Sequence, residues 1–320
     1  MAVLVTGGAG YIGSVVVDQL ADRGERVVVL DNLSRSPMPA LPNGTEFVEA
    51  DVGDQAVVGE LVESRDVESC IHLAGLIAVG ESVSDPGLYF EHNVAQAVRL
   101  LRALISHGVG RLVFSSSAAV YGDVETSPIS EDEPLRPTSP YGWTKMAVEQ
   151  MLTMHDAADG LRSVSLRYFN AAGATERRHE RHDPETHLIP LVVRATDANA
   201  EPITVFGSDY PTKDGTAIRD YIHVSDLADA HLLALDHLRR GGPSSAVNLG
   251  TGTGNTVLEV IEAVERTVGR VVARSRGPRR PGDPVALVAS SRLARELLGW
   301  EPTRSGLDDI VDSVVRFVAH

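Results

Sequence analysis

A single cysteine, Cys70, stands in a chain of 320 residues. No internal disulfide can form, and a reducing compartment is implied. The residue lies within the apolar run ESCIHLAG, where a thiol reads as a small buried side chain. Basic residues are scarce against acidic ones: 29 Lys and Arg face 44 Asp and Glu, for a formal charge of −15. Such a chain repels phosphate backbones, which argues against nucleic acid as a general partner. A small anionic ligand needs only a few local arginines. No apolar run reaches bilayer-spanning length, so no membrane partner is expected. The opening MAVLVTGGAG has no basic stretch followed by an apolar leader. Both features point to a cytoplasmic protein. Internal repeats and low-complexity segments are absent. The histidines at 179, 182 and 187 lack ligand spacing, so no metal is expected and the segment reads as a solvated loop.

What is present is an ordinary globular composition, 43% apolar and 23% charged. Short β-branched runs at 2–6, 26–31, 46–50, 69–74, 111–116 and 163–169 alternate with amphipathic segments starting near Tyr11, Asp54, Pro86 and Pro140. Repeated β-α units of this length predict a parallel sheet covered on both faces. Beyond residue 170 the rhythm loosens. The polar stretch ATERRHERHDPETH is followed by a helix near 186–199, a strand at PITVFG, a strand at AIRDYIHV and a helix from Ser225 to about Arg239. The expected class is α/β, with a doubly wound parallel sheet over 1–169 and a smaller mixed α/β ligand-binding region over 170–320. The chain is free to cross between the two more than once.

The stretch VLVTGGAGYIGS supplies Gly7, Gly10 and Gly13 after a strand and at the opening of a helix. The first glycine allows a tight turn, the second lets a pyrophosphate approach the backbone, and the third lets helix pack on strand. Free N–H groups at the helix start then face the phosphates. Asp31 ends the second strand, where a carboxylate accepts from an adenosine ribose and repels a 2′-phosphate, favouring NAD over NADP. Arg35 stands close enough to meet such a phosphate. Asp51, ending the third strand, reads either as a contact to an adenine amino group or as a helix cap. Strand five runs into Ser115, Ser116 and Ser117, at the strand end that faces the ligand crevice in a parallel sheet. In SPYGWTK, Tyr141 and Lys145 sit one turn apart on one helix face. A free phenol, with pKa about 10, is a poor base at neutral pH. A nearby ammonium favours the phenolate.

Glycine loop, serines and Tyr-x-x-x-Lys together resemble the extended short-chain dehydrogenase/reductase superfamily, with its Rossmann-type sheet. Within it the chain resembles the UDP-glucose 4-epimerase family over essentially its full length. The carriers are VTGGAGYIGS, LDNLS, HLAG…VGES, FSSSAAVYG, SPYGWTK, LRYFNAAGA, VFGSDYPTKDGTAIRDYIHVSDLADAH, NLGTG and PRRPGD. The resemblance implies an NAD-dependent isomerase. Tyr141 takes the proton of the sugar 4-hydroxyl as hydride leaves carbon 4, Lys145 lowers the phenol's pKa and bonds the nicotinamide ribose, and Ser117 bonds the 4-oxygen. A transient 4-ketose then receives hydride on its other face, so NAD stays bound between turnovers. Cofactor contacts are implied at Gly7, Gly10, Tyr11, Ile12, Gly13, Asp31, Asn32, Ser34, Asp51, Val52, Leu73, Ala74, Gly75, Asn93, Ser115 and Tyr168, besides Tyr141 and Lys145.

For the UDP-sugar, the resemblance implies Ser117, Tyr141, Asn170, His187, Leu188, Thr204, Phe206, Arg219, Tyr221, Arg280, Asp283 and Leu287. Arginine suits a diphosphate because its planar fork donates in pairs. Arg279 reads as a surface ion pair, and Phe206 reads equally as a core residue. Three departures stand out. Ile77 replaces a lysine that reaches the NAD phosphates, His92 replaces an asparagine and leaves Asn93 as the cofactor contact, and Leu287 replaces a tyrosine that excludes N-acetyl sugars. UDP-GlcNAc/UDP-GalNAc and UDP-glucuronate therefore stay open beside UDP-glucose/UDP-galactose. Dehydration is disfavoured, because Ala118 and Ala119 follow Ser117 where a dehydratase carries an acid pair. A non-catalytic NAD-binding regulator has no need of the serine, tyrosine and lysine. The family pairs as a homodimer, here through helices about 87–107 and 141–157.

Overall fold

The computed structural model describes residues 1–38, 40–124, 126–180, 185–197, 199–280 and 283–318. The first stretch runs β1 (Ala2–Thr6), α1 (Tyr11–Asp22), β2 (Val27–Asp31), β3 (Glu46–Glu49), α2 (Gln55–Arg65) and β4 (Val67–His72). Two short helices, α3 (Val79–Ser84) and α4 (Pro86–Phe90), lead through a π-helical turn at Glu91–Ala95 into α5 (Gln96–Ser106). Then come β5 (Arg111–Ser117), α6 (Pro140–Asp159) and β6 (Arg162–Tyr168). The second stretch runs β7 (Asn170–Ala172), α7 (Leu188–Arg194), β8 (Ile203–Phe206), β9 (Ile218–Arg219), β10 (Tyr221–His223) and α8 (Val224–Arg239). It continues with β11 (Ser245–Leu249), β12 (Asn255–Thr256), α9 (Val257–Val268), β13 (Arg274–Gly277), β14 (Ala286–Leu287), α10 (Arg292–Leu298) and α11 (Leu307–Val318).

Seven strands form one sheet in the order β11-β6-β5-β4-β1-β2-β3. Every neighbouring pair is parallel. Alternation along the strands divides the core. Val3, Val5 and Val29 meet α1 and α8 on one face, and Leu4, Val28 and Leu112 meet α2, α5 and α6 on the other. Burying each such side chain contributes about 1.5–3 kcal/mol. Cys70 lies in this second layer with no exposure, and burial pushes its thiol up. Strand order turns back between β1 and β4, which opens a crevice at their C-terminal ends. A separate apolar cluster joins α7, α9 and α11 through residues such as Val192, Val264 and Ile310. The chain does not stay in that second region. Helix α8 packs on α1, β5 and β6, and β11 pairs with β6 from Ser245↔Val164 to Leu249↔Tyr168.

Four local expectations need correction. The fourth strand starts two residues earlier and ends at His72, so Leu73 and Ala74 belong to the loop. The single strand expected at AIRDYIHV is two, in different sheets. It breaks at Asp220, whose carboxylate draws in the N–H groups of Thr251 (2.9 Å) and Ala289 (3.1 Å). The helix expected over 186–199 is only Leu188–Arg194, because the Thr196 hydroxyl turns back on the Val193 carbonyl at 2.7 Å. The polar segment after 173 is not a solvated loop in its described part. Arg178 is buried against Asp18 (2.6 Å) and the Ala40 carbonyl (2.6 Å). His179 stacks on Phe317 at 3.9 Å, and His182 lies outside the described residues.

Candidate active site

The β1–α1 loop forms one wall of a cavity of about 360 Å3 through Gly7, Gly10, Tyr11, Ile12 and Gly13. Gly7 has φ +73°, and a Cβ there would meet the Ala74 nitrogen at 2.5 Å. At Gly13 a Cβ would stand 2.1 Å from the Gly7 carbonyl oxygen. Gly10 is the N-cap of α1 and no side chain caps the helix. Its first-turn N–H groups therefore face the cavity, a fit for pyrophosphate. Asp31 lines the same cavity and ties two loops, accepting from Ala9 N (3.0 Å) and Leu33 N (2.9 Å). Arg35 lies near it but pairs with Glu81 at 2.8 Å. Asn32, Ser34, Val52, Leu73, Ala74 and Gly75 complete the wall. Asp51 does not line it. Its carboxylate accepts from Asn32 Nδ2 at 2.6 Å, and the cap of α2 is Asp54.

His92 lines the cavity and Asn93 stands behind it. Asn93 is 5% exposed. Its side chain accepts from Leu76 N (2.8 Å) and donates to Leu76 O (2.9 Å) and Thr144 (3.1 Å). It fixes the loop after β4, while His92 and Gln96 reach the cavity. Ile77 lines the cavity as well and is 42% exposed.

The three serines also separate. Ser117 lines the cavity. Ser115 is buried with its hydroxyl 3.2 Å from His231 Nε2, and its carbonyl accepts from Lys145 Nζ at 2.9 Å. Ser116 hydrogen-bonds Glu149 on the other side of the strand. A strand alternates faces, so only the residue at its last step opens to the crevice.

Helix α6 begins at Pro140, with the Ser139 hydroxyl accepting from Gly142 N at 3.2 Å. This cap and the proline set the helix start. It leaves Tyr141 and Lys145 on the cavity wall, with Lys145 Nζ 5.8 Å from the Tyr141 ring centroid. Burial holds the Tyr141 phenol above its ordinary value, against a hydrogen bond with Ser117 that lowers it. Burial brings Lys145 down to about 8, opposed by the Glu149 charge. Among the protein groups, burial is the larger influence on the Tyr141 phenol. Tyr168 lines the cavity beside them, and burial pushes its phenol up.

A second cavity of about 810 Å3 joins the first, because Tyr11, Asn170 and His187 line both. Leu188, Thr204, Phe206, Tyr221, Arg219, Arg280 and Asp283 line it too. Arg219 is ion-paired with Asp283 and donates to Pro284 O at 3.1 Å. The Arg280 guanidinium lies 4.2 Å over the Phe206 ring. Arg279 pairs with Asp209 at 2.8 Å. His187 is held by Glu185 at 2.8 Å, and these neighbouring carboxylates raise its pKa against burial.

Leu287 lines neither cavity. It packs back among Val120, Tyr121 and Ile129, in a cluster that includes Phe169, so it does not itself wall the sugar pocket. Residues missed from the sequence include Leu76, Gln96, Phe169 and Ala171, which reach the cavity from the loop after β4, the start of α5, the β6–β7 joint and β7. Arg194, also missed, lines the second cavity from the last turn of α7.

Residues 3–250 match the NAD dependent epimerase/dehydratase family, the class that this sheet and cavity define. A UDP-glucose 4-epimerase of Halalkalibacterium halodurans is 47% identical over 98% of this chain and 94% of its own. A crystal structure of UDP-glucose 4-epimerase from Brucella ovis in complex with NAD superposes with a TM-score of 0.96 at 45% identity, over 99% of this chain and 98% of that one. One from Stenotrophomonas maltophila, with bound NAD and formylated UDP-arabinopyranose, gives 0.95 at 39% identity, over 99% and 97%. The chain belongs to the UDP-glucose 4-epimerase family.

Proposed function

We propose that this chain is an NAD-dependent isomerase that inverts carbon 4 of a UDP-hexose, with UDP-glucose and UDP-galactose as the pair. The observation that carries the reading is the meeting of Ser117, Tyr141 and Lys145 on one wall of the glycine-loop cavity, which joins the arginine-bearing one through Tyr11, Asn170 and His187. NAD, when bound, accepts and returns the hydride and supplies a positive charge that favours the phenolate. The α1 N-terminus and Asp31 hold its pyrophosphate and ribose. Tyr141 Oη takes the 4-hydroxyl proton and later returns it. Ser117 Oγ bonds the 4-oxygen and hands the proton across. Arg219 and Arg280 hold the diphosphate once their present partners release them, and Phe206 and Leu188 flank the base. The two methyl groups of Ala118 and Ala119 offer no acid or base, so the ketose is not dehydrated.

The test is to mix purified protein with UDP-galactose, add no NAD, and follow anomeric protons by NMR. UDP-glucose signals are expected without added cofactor. Silence both with and without added NAD would overturn the reading.

Leu287 favours a second substrate. Packed away from the cavities, it leaves room that a tyrosine would fill. Leu287→Tyr should lower turnover of UDP-GlcNAc relative to UDP-glucose. An unchanged ratio in paired assays would make Leu287 a core residue only.

The chain pairs with a second copy through the face of α4 and α6. Phe90 (43%), Trp143 (50%) and Met154 (67%) are exposed on these helices, and exposed apolar surface marks interfaces. Trp143→Glu should halve the mass seen by light scattering; an unchanged mass would place the interface elsewhere. Among the described residues no helix is long and apolar enough to cross a membrane, and the buried thiol fits a cytoplasmic setting.

A further inference from the structure

Tyr141, Lys145 and Glu149 stand at successive turns on one face of α6. The last three residues of β5 each meet one of them. Ser117 stands beside Tyr141 and lowers its phenol's pKa, the Ser115 carbonyl accepts from Lys145 Nζ at 2.9 Å, and Ser116 Oγ bonds Glu149 Oε1. The first two rungs belong to the reacting pair. The third has no part in the chemistry, yet it is buried as the others are. Glu149 and Arg167 are each 6% exposed. Arg167, from β6, grips the carboxylate with Nη2 at 2.6 Å from Oε2 and Nε at 3.0 Å from Oε1. Its Nη1 donates to Tyr121 Oη at 2.9 Å, and that hydroxyl donates to Asn248 Oδ1 on β11 at 2.7 Å.

A buried ion pair is a poor device for stability alone, because well-packed apolar residues often serve as well. The location suggests another use. The titratable groups around Lys145 are Tyr141 and Glu149 on its own helix and His72 on β4, with Tyr168 on β6 next to Tyr141. His72 is held neutral, down to about 3, by burial. Both tyrosines are pushed up by burial. Of these groups only Glu149 is negative at neutral pH, and Arg167 beyond it offsets part of that charge.

We propose that Glu149, clamped by Arg167, is a positioning residue for the epimerisation: it locks α6 in register on β5 and keeps the Lys145 ammonium charged where Tyr141 works. This rests on the reading of Tyr141 and Lys145 as the reacting pair.

The test uses the full chain with its bound NAD. The double variant Glu149→Leu/Arg167→Leu removes both charges without leaving either unpaired. Ser116→Ala removes the rung and leaves the ion pair intact. kcat and KM for UDP-galactose are measured from about pH 6 to about pH 10, with Tyr141→Phe alongside. The folded double variant should lose about tenfold in kcat with KM unchanged. The alkaline limb of its kcat profile should move down by about one pH unit, since of the two charges removed Glu149 is the one that acts on Lys145, and its loss makes the ammonium easier to deprotonate. Ser116→Ala should lose about threefold in kcat at constant KM. A folded double variant with wild-type kcat and an unmoved limb overturns the proposal. If the double variant does not fold, Ser116→Ala decides: an unchanged kcat overturns the proposal, and a fall at constant KM supports it. A fully active Tyr141→Phe would overturn the reading of the reacting pair instead, so the two failures are distinct.

Discussion

Replacing Tyr141 by phenylalanine should reduce turnover by about a thousandfold while the protein still carries NAD. The substitution removes one oxygen and nothing else. The ring keeps its edge contact with Tyr89, 6.4 Å between centroids, in a pocket where Tyr141 is 8% exposed. Lys145 keeps its bond to the Ser115 carbonyl, so the nucleotide cavity is unaltered. What is lost is the acceptor for the 4-hydroxyl proton. Ser117 cannot replace it, because an isolated hydroxyl is a far weaker base than a phenolate. The check is an initial rate with UDP-galactose, paired with release and quantitation of the bound nucleotide. Near-wild-type turnover would remove Tyr141 from the chemistry.

Gly13→Ala should yield protein that purifies without NAD and melts at a lower temperature. The added methyl would sit 2.1 Å from the Gly7 carbonyl oxygen and 2.9 Å from the Gly8 Cα. Both are backbone atoms that no rotamer can move aside. The loop must shift away from the helix start, and overpacking of this kind costs about 1–3 kcal/mol. The shift also pulls the N–H groups of the first turn off the pyrophosphate path. Gly10→Ala makes the comparison, since its Cβ would have only the Gly7 oxygen near it, at 3.3 Å. If Gly13→Ala retained the nucleotide and the melting temperature, the packing argument for this glycine would be wrong.

The parallel sheet was legible because its strands are buried on both faces and read as unbroken β-branched runs. The glycine loop was legible because glycine is required there by backbone contact rather than by a side chain's chemistry. Asn93 was named by resemblance, and its place behind the cavity wall could not be read from a helical period. The π-helical turn at Glu91–Ala95 inserts an extra residue into the helical repeat, so a period of 3.6 puts the wrong neighbour on the cavity. Ser115 and Ser117 share a face, and a strand's alternation gives that face but not which residue passes the strand's end. Leu287 sits on a strand of two residues, too short to carry any period. The break at Asp220 depends on N–H groups 31 and 69 residues further on, which no local pattern can display.

Strand β11 and helix α8 lie late in the chain yet complete the first sheet and its α1 face. A gene fragment ending at residue 169 would leave the β6 edge unpaired and the apolar side of α1 open to water, and should aggregate rather than yield a nucleotide-binding module. Chimaeras between relatives face the same restriction. Exchanging the ligand-binding half alone would replace α8 and β11 too, and would set a foreign helix against the native α1. A recombination scheme that respects the fold must carry residues 224–249 with the first half, and therefore needs three crossovers rather than one.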